Sequence, residues 1–109
     1  MGQVVRQAPS SVNLDEVVGV QTVAGKPIPA NSQRVSFSLQ NIGTTKVFVR
    51  FGAAPVISGA TKYYSFILPP DSGEAEGQGG TLTVDYFQGD VWVSTESGTS
   101  EVIATEFIR

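Results

Sequence analysis

Apolar and polar residues alternate most regularly along residues 34–51 (RVSFSLQNIGTTKVFVRF). Within residues 34–40 every second side chain is apolar, which is the period of a β-strand with one face on a core. Residues 47–51 again place apolar side chains at alternate positions, and residues 41–45 (NIGTT) between them are of types that favour turns. This stretch therefore predicts a β-hairpin with a loop of about five residues.

Shorter segments of the same kind predict further strands at residues 17–23, 63–68, 82–86, 91–93 and 102–108, and residues 28–31 predict an edge segment because proline cannot donate to a central ladder. Glycine and proline separate these segments, as is typical of β-sandwiches and barrels. We predict an all-β fold with seven or eight strands, a single antiparallel β-sandwich or flattened barrel of jelly-roll-like form. The predicted core consists of Val35, Phe37, Leu39, Val47, Val49, Phe66, Leu68, Leu82, Val84 and Val93.

The first part of the chain, residues 1–16, lacks a regular pattern, so we predict an N-terminal arm there and the β-sandwich domain at residues 17–109. The arm is either an extended segment that becomes ordered against a neighbour or a loose terminus. If it is ordered, Val4, Val5 and Arg6 are the candidate residues for contact with another polypeptide, because so short a segment cannot bury enough surface alone.

The composition excludes several kinds of chemistry. The chain has 109 residues, which is enough for one domain, and it contains neither cysteine nor histidine. Thiolate nucleophiles, serine–histidine pairs and zinc sites that need imidazole or thiolate are therefore excluded. We expect a non-enzymatic protein with no cofactor, no catalytic residues and no metal. No apolar segment approaches the length of about 20 residues that crosses a membrane, and the sequence starts without the apolar core of a signal peptide, so we expect no membrane partner and synthesis in a cytoplasm.

The charges are unevenly distributed along the chain. Residues 17–70 contain bases and no acid, whereas residues 63–108 contain acids and no base, and the net charge is −3. Strands from the two halves could lie side by side and pair these charges within one subunit. Alternatively, a positive patch on one copy faces a negative patch on the next, with Arg34 and Arg50 as interface residues. The acidic excess argues against nucleic acid as a partner in either case.

Two groups of residues are candidates for binding. The glycine-rich acidic loop at residues 71–80 carries Asp71, Glu74 and Glu76, whose spacing does not match an EF-hand, so we interpret it as a solvated loop without metal. Trp92, with the three tyrosines of the chain, could form a platform for sugar or an anchor in a protein interface. The alternative for Trp92 is a place in one layer of the core.

The order of strands and turns resembles that of small β-sandwich structural proteins of tailed bacteriophages, of the capsid decoration, cement or head-fibre type. The resemblance covers about residues 23–106 and rests on residues 29–31 (PAN), 34–43 (RVSFSLQNIG), 47–52 (VFVRFG), 66–71 (FILPPD), 91–93 (VWV) and 102–106 (VIATE). It implies a virion protein, assembled in the host cytoplasm, that stabilises the shell by bridging capsomers. The expected partners are other copies of the chain, as a trimer rather than a dimer, and the major capsid protein or another virion protein. The alternative is a glycan-binding or host-binding module of a head fibre or tail.

Overall fold

The computed structural model describes residues 11–59, 61–71 and 79–109, and in these residues all regular structure is β-strand. Eight strands follow one another along the chain: β1 (Ser11–Val20), β2 (Gly25–Ile28), β3 (Arg34–Asn41), β4 (Val47–Phe51), β5 (Phe66–Leu68), β6 (Thr81–Asp85), β7 (Val91–Ser94) and β8 (Ser100–Ile108). They form two four-stranded antiparallel sheets. The first sheet has the order β1-β8-β3-β6 and the second sheet has the order β2-β7-β4-β5.

This strand order is that of a jelly roll, in which the chain crosses between the sheets after almost every strand. Only β4 and β5 are consecutive along the chain and also adjacent in one sheet. The predicted all-β sandwich of jelly-roll-like form is confirmed, with eight strands.

The hairpin predicted for residues 34–51 is wrong, because its two strands lie in opposite sheets. β3 pairs with β6 and β8, whereas β4 pairs with β5 and β7. Period-2 alternation shows that each strand has one buried face, and this holds equally for two neighbours in a sheet and for two strands that face each other across a core. The pattern could therefore locate both strands without deciding how they pair.

Asn41 holds the crossing from β3 to β4 in place. Its side-chain amide donates hydrogen bonds to the carbonyl oxygens of Thr45 (2.8 Å) and Leu68 (3.0 Å). Its side-chain oxygen accepts from the backbone N–H of Gly43 (3.0 Å) and from the Ser100 hydroxyl (2.7 Å). One buried side chain thus ties the end of β3 to the turn, to β5 in the second sheet and to β8 in the first.

The first strand begins at Ser11, earlier than the predicted start at residue 17. Residues 11–20 pair with β8 of the same chain, with an irregularity in register between Val12 and Leu14. Residues 11–16 therefore belong to the first sheet of the sandwich, and Leu14 in this segment packs against the margin of the core. The predictions for Val4, Val5 and Arg6 lie outside the described residues.

The core lies between the two sheets, and most of the predicted members are in it. Phe37, Leu39, Val47, Val49, Leu68 and Val93 are buried, and Leu82 and Val84 are half-buried against them. Val35 is half-buried and lies outside this cluster. Phe66 is 43% exposed, so its assignment to the interior is wrong. The reason is that β5 is an edge strand and Phe66 at its start lies at the open margin of the sandwich, whereas Leu68 on the same face is buried.

Candidate functional site

Trp92 lies on the outer face of the second sheet. Its neighbours Val91 and Val93 are buried in the core, so the alternation of the strand turns the indole outward. Lys26 Nζ lies 5.4 Å from the centre of the Trp92 ring. Arg50 is the register partner of Trp92 on β4, and its guanidinium carbon lies 5.2 Å from the centre of the Tyr63 ring. These four side chains form a row across the sheet in which cations alternate with aromatic rings.

The long β4–β5 connection folds over part of this outer face. Val56 and Tyr63 form a bridge inside it, with both backbone hydrogen bonds at 2.8 Å. Arg50 Nη1 donates to the carbonyl oxygen of Ala54 (3.2 Å). The Tyr64 ring meets the Phe48 ring edge-on at 5.1 Å. Phe48 therefore becomes buried although it points away from the core between the sheets.

A groove with a volume of about 350 Å³ lies where this connection approaches the end of β7. Pro55, Val56 and Ile57 form its apolar side. Ser94 and Glu96 lie on the opposite side. Pockets for small molecules have volumes of about 300–1,000 Å³, so the groove is at the small end of that range.

Two polar side-chain atoms of the described residues are buried without a hydrogen-bond partner, the Ser94 hydroxyl oxygen and Trp92 Nε1, and of these two residues only Ser94 lines the groove. Both side chains project from the same face of β7, about 7 Å apart along the strand. Ser94 is only 2% exposed and lines the groove. Buried polar groups are nearly always paired, so the unpartnered Ser94 hydroxyl is the strongest local sign of a binding function.

The predicted interface residue Arg34 has a different place. It is fully buried and binds Glu106 through Nε and Oε2 at 2.7 Å. Its Nη1 donates to the carbonyl oxygens of Phe87 and Gly89, both at 2.8 Å, and its Nη2 donates to that of Pro29. These bonds satisfy the guanidinium inside the subunit, so Arg34 cannot contact a partner protein.

Glu106 receives two further hydrogen bonds. Asn13 Nδ2 donates to its Oε1 at 2.7 Å, and Asn31 Nδ2 donates to the same oxygen at 3.2 Å. Burial alone would raise the pKa of Glu106, but the hydrogen bonds from Asn13, Arg34 and Asn31, with the charge of Arg34, lower it below the ordinary glutamate value. The cluster is closed and fully satisfied, which is the character of a structural element rather than of a site open to ligand.

The remaining charges separate by sheet. Lys26 forms a salt bridge with Asp90 at 3.5 Å, and Arg34 forms one with Glu106. Two bases are therefore paired within the subunit, as the first interpretation of the charge distribution predicts. Among the described residues, Lys46, Arg50 and Lys62 form no salt bridge, and all three lie on β4 or in the connections that flank it.

The acids without a salt bridge in the described chain are mostly on the first sheet. Asp15 is on β1, Asp85 on β6 and Glu101 on β8, and their register places all three on the outer face. Glu16 lies on β1 as well. Two charged residues depart from the separation, namely Glu96 after β7 and Arg109 after β8. These charges are available for pairing between copies, as the second interpretation of the charge distribution requires.

Large apolar side chains are exposed on both sheets. On the first sheet Val12 and Val17 are each 56% exposed and lie beside the half-buried Phe107 and Ile103 on the same outer face. On the second sheet the exposed group lies on β5 and just before it: Tyr63, Tyr64, Phe66 and Ile67. β5 hydrogen-bonds to β4 as the last strand of its sheet, so this apolar group borders an edge.

The structure brings two predicted site residues together and separates the others. Trp92 and Arg50 are neighbours on the outer face of the second sheet, and Arg34 is buried. Asp71 is half-buried and its N–H donates to the carbonyl oxygen of Gly43 at 2.9 Å, while Glu74 and Glu76 lie outside the described residues. In the described part of the chain no three acidic side chains are grouped so as to hold a metal ion.

Sequence reasoning missed Ser94 and the β4–β5 connection above it. The signal for Ser94 was present, because the alternation of residues 91–94 (VWVS) places Ser94 on the same face as Trp92. The approach of residues 55–57 to that face depends on contacts between distant parts of the chain, which no local pattern records.

Comparison with known protein families, with curated proteins and with solved structures finds no match to this chain. In the described residues there is no helix that could cross a membrane. The likeness to phage structural proteins therefore rests on the pattern of strands and turns alone.

Proposed function

We propose that the protein is a non-enzymatic structural protein of a tailed-phage virion, a decoration or cement protein that assembles into small oligomers and bridges capsomers. The observation that carries the proposal is the separation of unpaired charge between the two outer faces, each of which also exposes apolar side chains. A surface of this kind is suited to contact with other proteins. The phage assignment rests on the sequence resemblance.

The proposed mechanism is a contact between unlike faces of successive copies. The acids and valines on the outer face of the first sheet would meet the cations and aromatic rings beside β5 of the next copy. A contact between unlike surfaces forms a ring when the rotation closes, which fits a trimer better than a dimer. A stable contact buries about 1,200–2,000 Å² in total, and binding to the assembled shell then stabilises it by mass action.

The test is the mass of the purified protein in solution and its sedimentation with empty capsids of the phage that carries it. We expect an oligomer that cosediments with capsids. Its association should weaken as salt is raised from 0.05 to 0.5 M, because exposed charges are screened over about 8–10 Å near physiological ionic strength. A monomer at all salt concentrations that leaves capsids unbound contradicts the proposal.

A second candidate function is recognition of a glycan on a host surface. It is favoured by the groove at the end of β7 and by the unpartnered Ser94 hydroxyl in its lining. The test is a glycan array probed with the purified protein. A reproducible hit without capsid binding would favour this function over the first.

A further inference from the structure

We propose that the groove between Pro55–Ile57 and Ser94–Glu96 is a binding site for a neutral saccharide. The inference rests on the second candidate function and adds the site and the ligand class. The groove lies on the second sheet, which in the proposed contact also carries the cations and the aromatic rings beside β5.

The unpartnered Ser94 hydroxyl in the lining defines which ligand groups fit. This hydroxyl can donate and accept a hydrogen bond at the same time. A sugar hydroxyl donates and accepts as well, so it can satisfy Ser94 in either direction. A ligand that supplies such a bond removes the cost of leaving the Ser94 oxygen buried without a partner.

The two sides of the groove match the two kinds of surface on a sugar ring. Pro55, Val56 and Ile57 offer apolar contact for the C–H face of a pyranose. The Glu96 carboxylate accepts hydrogen bonds from hydroxyls on the opposite edge, and Thr22 and Ser58 add further hydroxyls to the lining. The combination of a mostly apolar wall and a few convergent polar groups is the usual design of small-molecule sites.

The charge of the groove selects against acidic sugars. Among the described residues that line the groove, Glu96 alone carries a charge, so a sialic acid or uronic acid would bring a second negative charge next to a carboxylate. Lys26 and Arg50 lie along the Trp92 row and are not part of the lining. A neutral hexose or N-acetylhexosamine, free or at the end of a short chain, is therefore the expected ligand.

The experiment is ligand-observed NMR with the full chain and a panel of probes: glucose, galactose, mannose, N-acetylglucosamine, their disaccharides, and sialyllactose. The informative variants are Ser94→Ala, which removes an oxygen that has no partner, and Glu96→Gln, which removes the charge. Glu16→Gln is the matched control, because Glu16 is an exposed glutamate on the opposite sheet. Circular dichroism melting verifies that all three variants keep the fold.

We expect at least one neutral probe to bind at millimolar concentration, with a dissociation constant that rises at least about tenfold in Ser94→Ala and Glu96→Gln and is unchanged in Glu16→Gln. If every panel member fails to bind, the groove holds only water, and both the site and the glycan function are overturned. If a sugar binds equally well to the Ser94 and Glu96 variants, the site is wrong while the glycan function stands. Tighter binding of sialyllactose than of the neutral sugars overturns the ligand class.

Discussion

At the scale of single residues, the buried pair of Arg34 and Glu106 fixes one end of the sandwich. Arg34 on β3 bonds to the β2–β3 connection through Pro29 and to the β6–β7 connection through Phe87 and Gly89. Glu106 on β8 adds a bond from Asn13 on β1. A charge removed from water is tolerated only when its partners and hydrogen bonds are all present. The pair therefore makes the positions of several loops depend on one another.

Replacement Glu106→Gln should lower the free energy of unfolding by about 3 kcal/mol at pH 7, because it leaves the Arg34 charge buried without its counterion. The pKa of Glu106 is lowered in the folded protein, so the stability that it contributes is complete above the unfolded-state pKa of about 4.3 and is lost as pH falls through the lower folded-state pKa. Urea unfolding from pH 7 to pH 3 should show a smaller loss of stability on acidification in the variant.

The control for this prediction is Glu101→Gln on the same strand. Glu101 is exposed, so its replacement should change neither the stability at pH 7 nor the pH dependence appreciably. An unchanged acid dependence in Glu106→Gln would contradict the role assigned to the buried pair.

Two phenylalanines, both predicted from sequence to be buried, should respond differently to truncation. Phe37 is fully buried and packs edge-on against Phe51 at 5.9 Å, so Phe37→Ala should cost about 3–5 kcal/mol. Phe66 is less than half exposed at the sandwich margin, where it also contacts Phe51 at 5.7 Å, and Phe66→Ala should cost about 1 kcal/mol. Equal losses in urea unfolding would contradict the marginal position of Phe66.

At the scale of strands and connections, the sequence located most elements but not their partners. Alternation identified β3, β4, β6 and β7 to within a few residues, because each has one face on the core. It could not show that the chain changes sheet after β3, since that depends on Asn41 meeting β5 and β8 across the fold. Of the predicted strand at residues 63–68, only Phe66–Leu68 form β5, because the residues before Phe66 belong to the connection above the outer face.

Asn41→Ala should destabilise the protein by about 3 kcal/mol, because it removes four hydrogen bonds and leaves the Leu68 carbonyl and the Ser100 hydroxyl with one partner fewer in a buried place. Thermal melting followed by circular dichroism measures the loss. Thr44→Ala in the same turn is the control, since Thr44 is exposed and should change stability by less than about 0.5 kcal/mol. A similar effect of both replacements would mean that the turn, and not the Asn41 bonds, limits stability.

At the scale of the whole molecule, the uneven charge along the chain corresponds to a separation of unpaired charge between the outer faces of the two sheets. The sequence left open whether the charges pair within the subunit or between copies. In the described residues, the fold pairs some of them within the subunit and leaves others without a salt bridge. Lys26 and Arg34 are neutralised internally, while Lys46, Arg50 and Lys62 have no internal salt bridge in the described chain. Which bases fall into which group depends on strand order, so it could not be predicted before the topology was known. The groove at Ser94 could not be predicted from the sequence either, because the segments that form its two sides are about forty residues apart along the chain.

If unlike faces of successive copies bind each other, two charge-reversed variants should fail alone and associate when mixed. Lys46→Glu with Lys62→Glu gives a copy that is acidic on both sides, and Asp85→Lys with Glu101→Lys gives a copy that is basic on both sides. All four positions are exposed, so the folds should be kept. Each variant should sediment as a monomer, because like charges then face each other across the contact.

An equimolar mixture of the two variants should restore assembly at low salt, with the copies alternating, since each acidic side then meets a basic one. Sedimentation velocity with one variant fluorescently labelled measures this directly, and 0.5 M salt should abolish it. The alternation also predicts an even number of copies or an open chain rather than the trimer expected for the unmodified protein. Self-association of either variant alone at the strength of the unmodified protein would place the contact elsewhere and leave the separation of charge between the sheets without a role in assembly.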